Sequence, residues 1–217
     1  MELGTKRVHF PMTTYLILGM TYAFAAAVQP GPFLTFLISQ TLTNGWPRTV
    51  PGAFAPLLSD IPIIALVLLV LSRMPAWLVQ LLQLAGGVFL LYLAFGAYKT
   101  WRTFNTEKPV GNNTIHQTVL KAALVNLLNP APYIGWSLVM GPLLLKGWRE
   151  APANGIALLA GFYSILILVT LVIMLLFSVA RKTGPRINRS LVGLSAIALS
   201  IFGLYEIWLG IRSIFIS

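Results

Sequence analysis

The chain has 217 residues, 57% of them hydrophobic and only 9% charged. Globular domains carry roughly 25% charged residues, so a soluble enzyme, a disordered tail and a nucleic-acid-binding domain are excluded. The net charge of +10 needs no polyanionic partner, because basic residues at the ends of membrane spans obey the positive-inside rule and no basic run is interleaved with aromatics. With no cysteine, disulfides and thiolate metal sites are excluded. His9 and His116, both near segment ends, give no basis for a histidine metal cluster, and no cofactor is expected.

Stretches without Lys, Arg, Asp or Glu cover residues 8–47, 74–98, 122–145 and 151–180. Two more are interrupted once each, 49–72 by Asp60 and 190–211 by Glu206. A bilayer span requires about 20 apolar residues. These segments are expected to be helices, since lipid admits only helices and closed barrels and residues 61–71 lack the alternation of a barrel strand. The expected spans are 12–43, 50–72, 76–99, 117–145, 153–179 and 190–212. The fold class is therefore an all-α integral membrane protein with six transmembrane helices.

In chain order, the first span runs long and contains Pro30-Gly31-Pro32. Its start, with Lys6-Arg7, an apolar run and Ala25-Ala26-Ala27, has the form of a signal peptide. Cleavage after Ala27 would remove the partner of the fourth span and leave no soluble domain, so the segment is expected to remain. The second span carries Asp60 twelfth in its 49–72 stretch. The third ends in Phe95-Gly96-Ala97-Tyr98-Lys99-Thr100-Trp101. A polar linker at 106–116 then separates a first repeat, 1–105, from a second, 117–217, within one membrane domain. The fourth span contains Pro130-Ala131-Pro132, an offset of 100 from the first pair, and Gly147-Trp148 repeats Gly45-Trp46 at an offset of 102. The sixth repeats Gly86, Phe95, Gly96, Tyr98 and Trp101 as Gly193, Phe202, Gly203, Tyr205 and Trp208, all at an offset of 107.

Two halves of three helices each, joined by one linker, sit in opposite orientations. That is the inverted-repeat plan of secondary transporters, with substrate held near the midplane. Tyr98, Trp101, Tyr205 and Trp208 are read as interfacial belt residues, and the glycines as helix-packing positions. Nine basic residues against six favour both termini outside.

Pro30, Pro32, Pro130 and Pro132 lack an N–H and clash with the carbonyl four residues earlier, so the first and fourth helices are expected to break. Paired interruptions in two halves are the best sequence pointer to a transport site. Asp60 is a costly intramembrane carboxylate with no Lys, Arg or His at comparable depth, which makes it a candidate proton carrier or the site of a substrate cation. The alternative is a structural hydrogen bond to the Leu58 carbonyl, freed by Pro62. Gln29, Asn126 and Asn129 flank the breaks and either satisfy freed backbone groups or bind substrate. Glu206 is read as solvated near an interface, and Tyr163 and Ser164 as core hydrogen-bonding residues. No catalytic motif is present, so the protein is not expected to be an enzyme.

Pro30-Gly31-Pro32 in the first helix, Asp60 in the second and Asn129-Pro130 in the fourth, across six spans, resemble the lysine exporter (LysE/RhtB) family of bacterial amino-acid efflux proteins. The resemblance covers essentially the whole chain in layout. It implies export of amino acids or related metabolites across the bacterial cytoplasmic membrane, driven by the proton gradient, and is compatible with a homo-oligomer. Two positions depart from the family's pattern: Ala131 stands where Lys is common, and Ser59 where Gly precedes the acid, so the substrate stays open. The alternative is an exporter of inorganic cations. Zinc-like soft metals are disfavoured by the lack of Cys and scarcity of His.

Overall fold

A computed structural model describes residues 11–70, 76–103, 114–182 and 184–216. The expected linker lies outside these residues up to position 113, as do Lys6 and Arg7 of the signal-like start. All regular elements among the described residues are helical. Helix α1, Met12–Val28, stops at Gln29, and α2, Pro32–Asn44, restarts after a bend of 62°. Pro30 cannot continue α1, whereas Pro32 at the first helical position of α2 gives up an N–H that would have no partner there anyway. The second span is continuous from Trp46 to Leu69. It starts as α3, Trp46–Thr49, tightens through a 3-10 turn at Val50–Phe54, and continues as α4, Ala55–Val70. Gly45, at φ 84°, makes the corner between α2 and α3 in a region that favours glycine.

Helix α5 covers Ala76–Arg102, and α6 covers Ile115–Leu128. The start of α6 is a capping box: Gln117 N–H donates to Thr114 Oγ1 at 3.2 Å, and Thr114 N–H to Gln117 Oε1 at 3.1 Å. A break at Asn129 follows, then α7, Pro130–Gly135, a π turn at Trp136–Met140, and α8, Gly141–Glu150. The π turn precedes Pro142, which has no N–H for the Leu138 carbonyl. The wider turn lets Gly141 N–H bond Trp136 O instead. Helices α9, Pro152–Lys182, and α10, Pro185–Ile216, complete the chain.

Four helical segments are long and apolar enough to cross a bilayer, and the bent α1–α2 pair makes a fifth. The protein is thus a multi-pass helical membrane protein. The fourth expected span is not one helix but the series α6–α8, because its proline pair and Pro142 interrupt it twice.

Three helix pairs organise the packing. Gly19 of α1 abuts the Leu158 carbonyl of α9, and Gly161 abuts Leu16. Tyr15 reaches Glu150, just before α9, and Tyr22 reaches Phe162, so α1 and α9 run in the same direction. Gly52 lies against Thr118 and Ala122, while Asp60 reaches Asn126, so α4 and α6 are also parallel. Helices α5 and α10 are antiparallel: Gly193 seats Trp101 at one end and Gly210 seats Leu84 at the other, with Gly87 and Gly203 crossing between them. A Cβ on Gly87 would stand 2.7 Å from the Gly203 carbonyl oxygen, so only small residues allow this approach. Gly86 packs on the Leu128 carbonyl as expected, but Gly96 has nothing within 4 Å and is not a packing glycine.

Candidate functional site

Both helix breaks open onto one cavity of about 300 Å³, the lower end of small-molecule pockets. Eight of the nine residues singled out in the sequence line it: Gln29, Pro30, Gly31, Pro32, Asp60, Asn126, Asn129 and Pro132. Pro130 does not, being buried at the first position of α7.

Asp60 is only 3% exposed. Its Oδ1 accepts from Asn126 Nδ2 at 2.7 Å and its Oδ2 from the Tyr163 hydroxyl at 3.1 Å. The Trp136 indole lines the same cavity. Asn126 divides its two amide protons between Asp60 and Ser59 Oγ, the latter at 2.8 Å. Ser59 in turn donates to the Ala55 carbonyl at 3.1 Å. Asp60 therefore bonds side-chain donors from α6 and α9 rather than the Leu58 carbonyl. The Asn126 donor is held because α4 and α6 run in parallel, which puts it level with Asp60. Among the described residues that line the cavity there is no Lys, Arg or His.

The two breaks differ chemically. At α7, Pro130 and Pro132 have no N–H, and the Ala131 N–H between them is capped by Asn129 Oδ1 at 3.0 Å. Asn129 N–H bonds Asn126 O at 3.3 Å. That helix start has its orphan donors removed or satisfied. The Tyr133 hydroxyl likewise donates to Leu127 O at 2.9 Å, covering a carbonyl released where α6 ends. At α2 no side chain caps the start, and the first intrahelical bond there is Thr35 N–H to Gly31 O at 3.0 Å. The N–H groups of Phe33 and Leu34 precede that bond, and both residues line the cavity. Asn126 and Asn129 thus separate in role, one holding Asp60 and the other capping α7.

Two sequence readings need correction, those of Glu206 and Ser164. Glu206 is not a solvated interface residue; α10 packs on α5 and turns it into the cavity wall, with Oε2 buried. Tyr205, read as a belt residue, is 52% exposed and stacked on Trp208, and it also lines the cavity. Tyr163 does make a core hydrogen bond, as expected, but its partner is Asp60, whereas Ser164 is exposed. Trp136, Tyr22 and Phe162 escaped notice because aromatic residues in apolar segments carry no signal of direction. Ser59 and Ala131, the two departures from the family pattern, both adjoin the site: Ser59 anchors Asn126, and Ala131 lines the cavity without charge. Among the described residues, no three His, Cys, Asp or Glu side chains come together as a metal group.

A family model described as "LysE type translocator" matches residues 24–210. No curated protein and no solved structure matches the chain.

Proposed function

From the premise that the chain belongs to the LysE type translocator family, and is thus a transporter rather than an enzyme, we propose that it exports amino acids or related small metabolites from the bacterial cytoplasm by proton antiport. Asp60 is the site of the substrate ammonium or of the exchanging proton. The observation that carries this reading is a buried carboxylate, held by two neutral donors with no cation lining its cavity, onto which both helix breaks open. Intramembrane carboxylates in such settings mark transport pathways.

The uncapped start of α2 supplies the complementary pole. Helix N-termini favour anions through their unpaired N–H groups and dipole, so the substrate carboxylate sits at Phe33 and Leu34. The start of α7, self-capped by Asn129, is not its equal. A zwitterionic amino acid then spans from α2 to Asp60.

The architecture is six crossings in two inverted repeats, with α6–α8 as the fourth, broken crossing. The helix pairing supports it. A two-fold axis in the membrane plane exchanges α1 with α6, α4 with α9 and α5 with α10. It converts the α1–α9 pair into the α6–α4 pair and maps the α5–α10 pair onto itself. Both pairs that exchange are parallel and the self-paired one is antiparallel, as such an axis requires.

Efflux from proteoliposomes loaded with labelled amino acids, with and without an imposed pH gradient, tests the proposal. Gradient-dependent efflux lost in Asp60→Asn is the expected result. Efflux of every amino acid unchanged in Asp60→Asn and indifferent to the gradient would overturn it.

A further inference from the structure

The cavity contains a second carboxylate whose surroundings are the reverse of those around Asp60. Glu206 lines the main cavity on one side. On the other it borders a void of about 10 Å³ among Pro32, Gly86, Phe89, Leu128 and Asn129, close to the smallest space that holds one water. Its Oε2 is buried and has no hydrogen-bond partner. The titratable groups sharing its cavity are Asp60, Tyr22 and Tyr205, and the residues of α2, α5 and α6 around the void include none. Arg212, further along α10, lies over the Trp208 ring at 5.2 Å.

A buried acceptor left without a donor carries its full desolvation penalty, and more so when charged. Taking up a proton or a cation relieves it. Asp60 has no such need, because both of its oxygens already accept hydrogen bonds. Of its donors, Asn126 has both amide protons committed. A carboxylic O–H there would find an acceptor only in the Tyr163 hydroxyl, which would have to give up the hydrogen bond it now donates.

We propose that the proton exchanged during transport is carried by Glu206, while Asp60 stays anionic to receive the substrate ammonium. This rests on the transport reading above and divides between two residues what that reading gave to one. The positive charge of a cargo ammonium at Asp60 favours the anionic form of Glu206, which lines the same cavity. On loading, the O–H bond of Glu206 breaks, its electron pair stays on the carboxylate, and the proton leaves to water. On unloading at the other face, the bond re-forms with a proton from that side. The cargo ammonium and the Glu206 proton thus disfavour one another, which is the condition for antiport.

The test uses the full chain in liposomes and a labelled mixture of the proteinogenic L-amino acids. Accumulation is measured with and without a gradient of one pH unit. One proton exchanged per cargo molecule supports up to about a tenfold ratio between the two conditions. Glu206→Gln is expected to bring that ratio close to unity while cargo exchange at equal pH remains detectable, and Glu206→Asp to regain part of the response. A wild-type ratio in Glu206→Gln overturns the proposal, as does complete loss of exchange in both variants, which marks a packing role. If the wild-type protein itself moves no amino acid in either condition, it is the underlying transport reading that fails.

Discussion

The amide of Asn126 donates to Asp60 Oδ1 at 2.7 Å, joining residues 66 positions apart across the two halves of the chain. This bond ties the end of α6, next to its break, to the buried acid of α4. The carboxylate thereby receives a donor from the helix whose interruption opens the cavity.

Removing that donor should be costly. Hydrogen bonds to charged groups contribute about 1.5–3 kcal/mol, so Asn126→Ala is expected to lower efflux roughly tenfold to a hundredfold. Initial rates from preloaded proteoliposomes check this.

Tyr163→Phe removes a longer bond to the same carboxylate, at 3.1 Å, and is expected to weaken efflux by about tenfold or less. Because both donors serve Asp60, the double variant with Asn126→Ala should depart from additivity by about 0.5–3 kcal/mol. Additive effects on efflux would show that the two donors act independently.

Asn129 offers a contrast. Its Oδ1 caps α7, so Asn129→Ala should cost about 0.5–2 kcal/mol of stability, read as a lower melting temperature in detergent. Asn129→Ser retains a capping oxygen and should recover most of that loss. A melting temperature unchanged in Asn129→Ala would remove the capping role.

The glycines of α5 separate in the same way. A Cβ on Gly87 would lie 2.6 Å from Ile207 Cγ1 and 2.7 Å from the Gly203 carbonyl oxygen. Gly87→Ala is therefore expected to destabilise by about 1–3 kcal/mol. Gly96, with open space around it, should tolerate alanine and gain about 0.5–1 kcal/mol from helix propensity. Paired thermal melts give both numbers.

Much of the site was legible because its signals are local. A proline breaks a helix through its own ring and missing N–H, so the interruptions near Gln29 and Asn129 could be read without any neighbour. A carboxylate in the middle of an apolar stretch is anomalous whatever surrounds it, which singled out Asp60. Glu206 gave a weaker version of the same signal and was placed at an interface, because distance along α10 says nothing about which side of that helix faces the cavity. Tyr163 and Trp136 gave no signal at all. The Tyr163 hydroxyl matters only through the acceptor it meets on another helix, and the Trp136 indole only through the cavity it lines.

Composition, charge spacing and proline positions by themselves determined that the chain is a helical membrane protein with two interrupted segments and an isolated acid, since each follows from the cost of placing a given residue type in hydrocarbon. Only the tertiary structure decided which donors hold Asp60, that the α7 start is closed while the α2 start is open, and that Glu206 enters the cavity. Those depend on the rotation of each helix about its axis and on its register against its neighbours. In segments apolar on every side, that rotation is set by close contacts such as Gly87 against Gly203, which arise only when the helices meet.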